Sequence, residues 1–342
     1  MNILITGATG FVGKHLIRLL HKKQNYNLFS LLRTPSKENM EFFSKYNVNT
    51  ILGDITDKTT CINAGNGMDI IIHMAAFLSD WDPWEKFEKV NITGTKNILE
   101  SAIQNKIKQF IHISTNDIFG FEHKTTIYET EEIAPDNFGY SKSKALAQKE
   151  VYKYLENTSI PYTIHYPLWI FGPEDKTFIP GLIEILDSGI ALIIGKKNKL
   201  VPLTYVKNLT FYIEKSIMNE KTFNEGFFIG LEEQVTWRQF YKFFEDKMQF
   251  KPKYIRLPKW FGMTLAFFVE CIYTILPLKS RPPLTRYVIK NFANEVIYSV
   301  KKVRDVLGKA PYDLKKTIDE TFDYFNNESF RSTPQVKIKN EK

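Results

Sequence analysis

A doubly wound α/β fold, with a parallel sheet and a smaller mixed α/β lobe beside it, is predicted by three features of this 342-residue chain. Short apolar runs alternate with helical periodicity through the first half, the pattern of βαβ units feeding a parallel sheet. A glycine-rich turn separates the first apolar run from the first helical pattern. Beyond Pro167 the alternation breaks into an irregular mixture, as expected where the chain builds a second lobe in several excursions.

The elements follow in order. Asn2 to Thr6 is an apolar strand, and Val12 to His21 carries apolar residues at helical spacing through Val12, Leu16, Leu19 and Leu20. Asn27 to Leu32, Val48 to Leu52 and Asp69 to Met74 read as the next strands, the last around an Ile-Ile-Ile run. Thr93 to Ala102 is helical, Gln109 to Ser114 a fifth strand, Ser141 to Glu156 a long helix and Tyr162 to Tyr166 a sixth strand. Later, Thr177 to Ser188 reads as a helix, Val201 to Leu209 as a strand entering a helix, and Glu225 to Gly230 as a strand. Thr236 is placed to cap a helix running to Glu245. The resulting division is a sheet domain over 1–166 completed by parts of 201–230, a smaller lobe over 167–200 and 231–328, and a flexible tail over 329–342.

Composition narrows the class. With 43% apolar and 25% charged residues the chain is that of a folded protein. Two cysteines, Cys61 and Cys271, offer neither a disulfide framework nor a metal cluster, which points to a reducing, cytoplasmic setting. The first residues show no secretory leader pattern. Residues 251–342 hold 18 Lys or Arg against 9 Asp or Glu, whereas the rest of the chain is almost balanced. Nucleic-acid binding is not expected, because the basic excess sits in the carboxyl-terminal quarter of the chain rather than being spread around a binding site.

Gly7-Ala8-Thr9-Gly10-Phe11-Val12-Gly13 joins a strand to a helix. In that context the first glycine allows the tight turn, the second admits a pyrophosphate to the backbone, and the third lets helix and strand pack closely. Free N–H groups at the helix start, around Phe11 and Val12, then meet the phosphate charge. The second strand ends in Arg33-Thr34-Pro35-Ser36-Lys37, without the acidic group that usually holds the ribose of NAD. Arg33 suits a 2′-phosphate, with Ser36 or Lys37 assisting, so NAD(P) is expected and NADP favoured over NAD. Asp54 and Ile55 follow the third strand near the adenine, Asp54 serving equally well as a loop cap. Ala75 and Ala76 are small where the dinucleotide must pass. His73 reads as a buried structural residue.

Tyr140 and Lys144 lie four apart on one helical face, where a cation beside a phenol favours phenolate and eases proton transfer. Together with Thr-Gly-Ala-Thr-Gly-Phe-Val-Gly at the amino terminus, Ile-His-Met-Ala-Ala at 72–76, Val90-Asn91-Ile92-Thr93-Gly94-Thr95 and Ser114-Thr115-Asn116-Asp117-Ile118-Phe119-Gly120, this pair resembles the extended short-chain dehydrogenase/reductases over nearly the whole chain. That superfamily has a Rossmann-type core and includes nucleotide-sugar epimerases and dehydratases. The resemblance implies catalytic roles for four residues. Tyr140 is the general acid/base, and Lys144 holds the nicotinamide ribose and lowers the Tyr140 pKa. Thr115 bonds the substrate oxygen, with Ser114 as its substitute if the register slips by one. Asn91 supports helix geometry or a proton-relay water. Pro167 falls in the segment near the nicotinamide and substrate, where Tyr166 stands in place of a common arginine.

Pro282-Pro283-Leu284-Thr285-Arg286, Tyr298-Ser299-Val300-Lys301-Lys302-Val303 and Leu307-Gly308 resemble the 3β-hydroxysteroid dehydrogenase branch. The implied reaction interconverts a secondary alcohol and a ketone on a bulky apolar small molecule. Its rivals are a nucleotide-sugar epimerase, reductase or dehydratase, and an NADP-binding sensor without turnover. Trp260 to Leu278, apolar and flanked by basic residues but interrupted by Glu270 and Pro277, is expected either to cover the pocket as a packed helix or to touch a membrane from one side. Homodimerisation is a further expectation for the same surface.

Overall fold

The computed structural model describes residues 1–122, 126–195, 199–248, 251–276, 280–293 and 296–326. The expected tail over 329–342 and the residues Pro277 and Leu278 lie outside them. The first half runs β1 (Asn2–Thr6), α1 (Phe11–Lys23), β2 (Asn27–Leu32), α2 (Lys37–Lys45), β3 (Val48–Leu52), α3 (Lys58–Ala64) and β4 (Ile70–His73). The short α4 (Trp84–Phe87) passes through a π-helical turn at Glu88–Thr93 into α5 (Gly94–Gln104). Then come β5 (Gln109–Ile113), a 3-10 turn at Asn116–Phe119, α6 (Gly139–Leu155) and β6 (Tyr162–Pro167). Helices α2 and α3, which the periodicity did not reveal, are short and start at side-chain caps. Ser36 Oγ accepts from Asn39 N–H at 3.2 Å, and Asp57 Oδ1 from Thr60 N–H at 2.9 Å.

The second half holds β7 (Trp169–Phe171), α7 (Phe178–Asp187), β8 (Ile190–Ile194), β9 (Leu200–Val201), β10 (Leu203–Tyr205), α8 (Val206–Ser216), β11 (Glu225–Ile229), β12 (Val235–Thr236), α9 (Trp237–Met248), β13 (Lys253–Leu257) and four further helices. These are α10 (Lys259–Ile275), α11 (Arg286–Phe292), α12 (Lys301–Leu307) and α13 (Leu314–Asn326). Thr236 caps α9 as its spacing to Gln239 suggests: Gln239 Oε1 accepts from Thr236 N–H at 2.9 Å, and Thr236 Oγ1 from Gln239 N–H at 3.4 Å.

Seven parallel strands form the main sheet in the order β11-β6-β5-β4-β1-β2-β3. Helices cover both faces, which is why strands such as β1 and β4 are nearly continuous apolar runs instead of alternating. The isoleucine run of β4 shows this. Ile71 packs with Leu4 and Phe110 on one side, while Ile70 and Ile72 pack with Ile3, Ile5 and Ile111 on the other. Strand order reverses between β1 and β4, so a crevice opens at their carboxyl ends.

The smaller lobe is made of three two-stranded sheets and an aromatic core in which Trp237, Phe240, Tyr241, Phe244 and Phe322 pack together. One segment departs from the expected division. Helix α12 belongs with the main sheet, because Val303 and Leu307 join Leu209, Tyr212 and Ile213 of α8 in the core beneath it. Helix α10 buries only Gly262, Ala266 and Glu270. It packs along one narrow strip. Trp260, Phe268, Ile272 and Ile275 remain exposed on it. No described helix is long and apolar enough to cross a membrane.

Candidate active site

The turn after β1 is built around two close approaches. Gly7 has φ +75°, and a Cβ there would lie 2.8 Å from the Ala75 nitrogen. A Cβ on Gly13 would fall 2.4 Å from the Gly7 carbonyl oxygen. Helix α1 therefore begins flush against the strand end, with no acidic residue in its first turn and no side-chain cap on its N–H groups. Those donors and the glycine cradle fit a dinucleotide pyrophosphate. Thr9 lies between Gly7 and Gly10 in this turn, and Phe11 and Val12 supply the leading N–H groups.

The residues around the turn have defined partners. Thr6 Oγ1 receives the N–H groups of Met74 and Ala75 at 3.2 Å, tying β1 to the chain after β4; Ala76 follows, exposed. His73 is structural, bonded to Thr6 Oγ1 at 2.8 Å and Thr95 Oγ1 at 3.0 Å, and burial pulls its pKa down to about 3. Asp54 Oδ1 accepts from Thr56 N–H at 2.9 Å, so the loop-capping role is realised. Ile55 is buried against Gly94. Arg33 extends into solvent with 73% of its side chain exposed, its Nε 3.9 Å from Asp54. Ser36 is taken up as the α2 cap and Lys37 lies 4.0 Å from Glu41, which leaves Arg33 the principal cation at the end of β2.

At the carboxyl end of β5 the chain brings three predicted residues together. The Thr115 hydroxyl lies beside the Tyr140 phenol, near enough to favour its charged form. Ser114 Oγ, by contrast, is buried without a protein partner, so the geometry selects Thr115. Lys144, one turn along α6, is buried and donates from Nζ to the Ile113 carbonyl at 2.7 Å. Asn91 stands behind them. Its Oδ1 accepts from Phe77 N–H at 2.6 Å, and its Nδ2 donates to Phe77 O at 3.0 Å and Ser143 Oγ at 2.9 Å. It thus fixes the loop after β4 against α6 rather than facing Tyr140. Pro167 ends β6, buried opposite Ile229.

One electrostatic expectation is corrected. Burial pushes the Tyr140 pKa up from its ordinary value, and the nearby Asp117 carboxylate adds to the rise. The neighbouring Thr115 hydroxyl opposes it only in part. Lys144 does not reverse this, since burial brings its own pKa down to about 7. Asp117 was quoted in the sequence only as part of a motif. It is buried, accepts a 2.5 Å bond from Tyr287 of α11, and has a pKa raised to about 6 by burial. The sequence holds a faint signal for it, an acid two residues after Thr115. Nothing local joins it to Tyr287, 170 residues away.

Beside Gly139 lies a cleft of about 460 Å³. Trp81, Phe87, Phe138 and Met263 give it an apolar wall, and Asp80, Asp82, Asn137, Asp136, Glu270, Arg286 and Lys290 a polar lining. Charges of the lining are paired: Glu270 Oε2 with Arg286 Nε at 2.5 Å, and Asp136 with Lys290. Arg281 pairs with Asp80 at 2.9 Å across the same opening. Tyr166 does not reach it. Its hydroxyl receives the Gln148 amide at 2.6 Å, and its ring packs on Phe119 and Phe228 in the core.

The model of the 3-beta hydroxysteroid dehydrogenase/isomerase family matches residues 4–229, about two thirds of the chain, and spans both the glycine turn and the Thr115–Tyr140–Lys144 cluster. The chain belongs to that family. It is accordingly an enzyme of the extended short-chain dehydrogenase/reductase type, with an NAD(P)-linked oxidoreductase or epimerase activity. Family members similar to it differ in what they act on. A decarboxylating sterol-4-alpha-carboxylate 3-dehydrogenase of Candida albicans is 27% identical, covering 96% of this chain and 98% of its own. An N-acetyl-alpha-D-glucosaminyl-diphospho-ditrans,octacis-undecaprenol 4-epimerase of Escherichia coli O157:H7 is 25% identical over 94% and 95%. The fold matches UDP-glucuronic acid 4-epimerase of Bacillus cereus, solved with NAD, at a TM-score of 0.75 and 20% identity over 96% of this chain and 100% of that one.

Proposed function

We propose that this family member interconverts a secondary alcohol and a ketone on a bulky apolar substrate, of the 3β-hydroxysteroid, sterol or terpenoid kind, with NADP as its preferred dinucleotide. The reading rests on one juxtaposition. Thr115 and Tyr140 lie side by side at the ligand edge of the sheet, and Gly139, next to Tyr140, lines a cleft that carries Trp81, Phe87, Phe138 and Met263. Those aromatic and aliphatic side chains suit a fused-ring or branched hydrocarbon, with the polar groups of the lining left to orient it. The sterol dehydrogenase named above supports the same substrate class.

The dinucleotide, when bound, supplies the hydride acceptor or donor. In this reading Gly7, Thr9, Gly10, Phe11, Val12 and Gly13 hold the pyrophosphate, Asp54 and Ile55 border the adenine, and Ala75, Ala76 and Pro167 line the passage to the nicotinamide. Arg33, exposed and only loosely drawn to Asp54, is the phosphate-reading cation that favours NADP. Lys144 binds the nicotinamide ribose. Thr115 donates to the substrate oxygen, and Tyr140 gives that oxygen a proton in reduction or takes one in oxidation. The apolar face of α10 rests on a lipid surface, an assignment supported by exposed Trp260, Phe268 and Ile275 and by exposed Lys253 and Arg256 just before it.

Replacing Tyr140 with Phe removes the proton donor while keeping the ring. Turnover of the best substrate from a panel of hydroxysteroids, terpenoid alcohols and nucleotide sugars is expected to fall by about 10²-fold or more. NADPH binding, followed by fluorescence, should stay close to the wild-type value. Undiminished turnover in the variant would reject the assignment. Conversion of a nucleotide sugar without net change in nicotinamide absorbance would select epimerisation instead.

A further inference from the structure

We propose that Glu270 is a specificity-determining residue: by holding Arg286 it closes the cleft beside Gly139 to anionic substrates and leaves it to uncharged ones. The inference rests on the reading that this cleft takes the substrate. It narrows the class from apolar skeletons in general to those that place no carboxylate or phosphate against the lining.

Glu270 stands out on its own helix. From Trp260 to Ile275, α10 carries no other charged residue. Its buried strip of Gly262, Ala266 and Glu270 repeats every four residues, so the carboxylate sits on the face that turns inward. Glu270 Oε1 accepts from the Arg286 backbone N–H at 2.6 Å, and Oε2 accepts from Arg286 Nε at 2.5 Å. The guanidinium also lies over the Phe267 ring, 5.3 Å from its centre. Just before it, Thr285 Oγ1 accepts from Val288 N–H at 3.3 Å and donates to Asp80 Oδ2 at 2.8 Å, which fixes the main chain that carries Arg286. A buried ion pair of this kind is a poor source of stability, because desolvation of the charges offsets their attraction. In the lining of a cleft it has a different consequence, since it decides which charges a ligand meets.

The rest of the lining acts in the same sense. It holds four carboxylates, Asp80, Asp82, Asp136 and Glu270, against two cations, Arg286 and Lys290. Both cations are committed to acids of the lining itself, Arg286 to Glu270 and Lys290 to Asp136. Lys290 also lies 3.6 Å from Glu122. The other two acids draw on exposed cations outside the lining, Asp80 on Arg281 at 2.9 Å and Asp82 on Lys86 at 2.6 Å. Among the described residues, an entering carboxylate or phosphate therefore meets an excess of negative charge and no lining cation without an acidic partner. A desolvated anion needs a counter-charge, whereas a hydroxyl or ketone does not.

The test compares a 3β-hydroxysteroid bearing a carboxylate on the carbon next to the carbinol with the methyl ester of the same compound. That carboxylate stays inside the cleft while the hydroxyl meets Tyr140. Equilibrium dialysis against the full chain loaded with NADPH, with which an alcohol cannot exchange hydride, gives both affinities. The ester is expected to bind tighter by about tenfold or more. Glu270→Gln keeps the shape and an acceptor for the Arg286 N–H but releases the guanidinium, so the acid should gain about tenfold relative to the ester. Adding Arg286→Gln should take that gain away. Asp82→Asn removes a lining carboxylate outside the α10–α11 contact; it should favour the acid by a smaller factor, and it serves if Glu270→Gln does not fold. Equal affinity for acid and ester in the wild type, binding of neither, or unchanged discrimination in the folded variant would overturn the proposal. No turnover enters the readout, so an active Tyr140→Phe rejects the proposed reaction without altering this result.

Discussion

Substituting Gly13 with Ala sets two known effects against each other. Within a helix, alanine in place of glycine normally stabilises by about 1 kcal/mol. At this position the new Cβ would lie 2.4 Å from the Gly7 carbonyl oxygen and 2.7 Å from the Ala8 backbone. An ordinary contact begins near 3.4 Å, so about 1 Å of separation between α1 and the turn is required. None of the obstructing atoms is the end of a flexible side chain. Overpacking of this kind costs about 1–3 kcal/mol, and a clash with backbone belongs at the upper end. The clash therefore wins, with net destabilisation of about 1–2 kcal/mol. Because α1 must move, its leading N–H groups leave the pyrophosphate position. Dinucleotide affinity should fall about tenfold or more, equivalent to about 1.4 kcal/mol. Gly67→Ala is the control: that residue has φ +72° but open space around its Cβ direction, so it should lose stability without losing affinity. Thermal unfolding and NADPH fluorescence titration measure both quantities. Gly13→Ala binding NADPH as tightly as the wild type would refute the packing argument.

Two further outcomes follow from exposed residues. Arg33→Asp should weaken NADPH by about tenfold or more while changing NADH much less, through loss of charge-assisted bonds to the 2′-phosphate. Equal losses for the two dinucleotides in parallel titrations would remove Arg33 from that role. On α10, a Trp260→Ser, Phe268→Ser, Ile272→Ser triple variant removes three side chains, each contributing about 1.5–3 kcal/mol if fully buried in lipid. Sedimentation with vesicles of mixed anionic and neutral phospholipid should drop by about 10²-fold or more in partition coefficient. Unchanged sedimentation of the folded variant would reject lipid contact, and a dimer-to-monomer shift on substitution would assign the face to a second copy of the chain.

Much of the sheet was readable residue by residue. Each strand from β1 to β6 is a short run bounded by turns, and burial on both faces keeps such runs rich in apolar residues on both sides of the strand. The helices α2, α3 and α11 were not. Seven to nine residues give too few turns for a periodic pattern to emerge, and their starts are marked only by Ser36, Asp57 and Thr285 as caps. Helix α10 was visible as an apolar segment, but its small buried strip of Gly262, Ala266 and Glu270 depended on what it packs against. The placement of α12 on the main sheet likewise follows from the return of the chain to α8, which no local signal encodes.

By itself the sequence determined the parallel α/β class, the glycine turn and the Tyr140–Lys144 spacing, because each depends on residues within a turn or two of one another. Only the tertiary structure decided that Thr115 rather than Ser114 meets Tyr140, that Asn91 braces the loop after β4, and that Asp117 and Tyr287 are partners. It also reversed the expected electrostatics of Tyr140. A pKa in a folded protein is set by desolvation and by charges arriving from distant segments. A carboxylate from beyond the end of β5, a phenol from α11 and the partial burial of Tyr140 cannot be read from the four-residue spacing on α6.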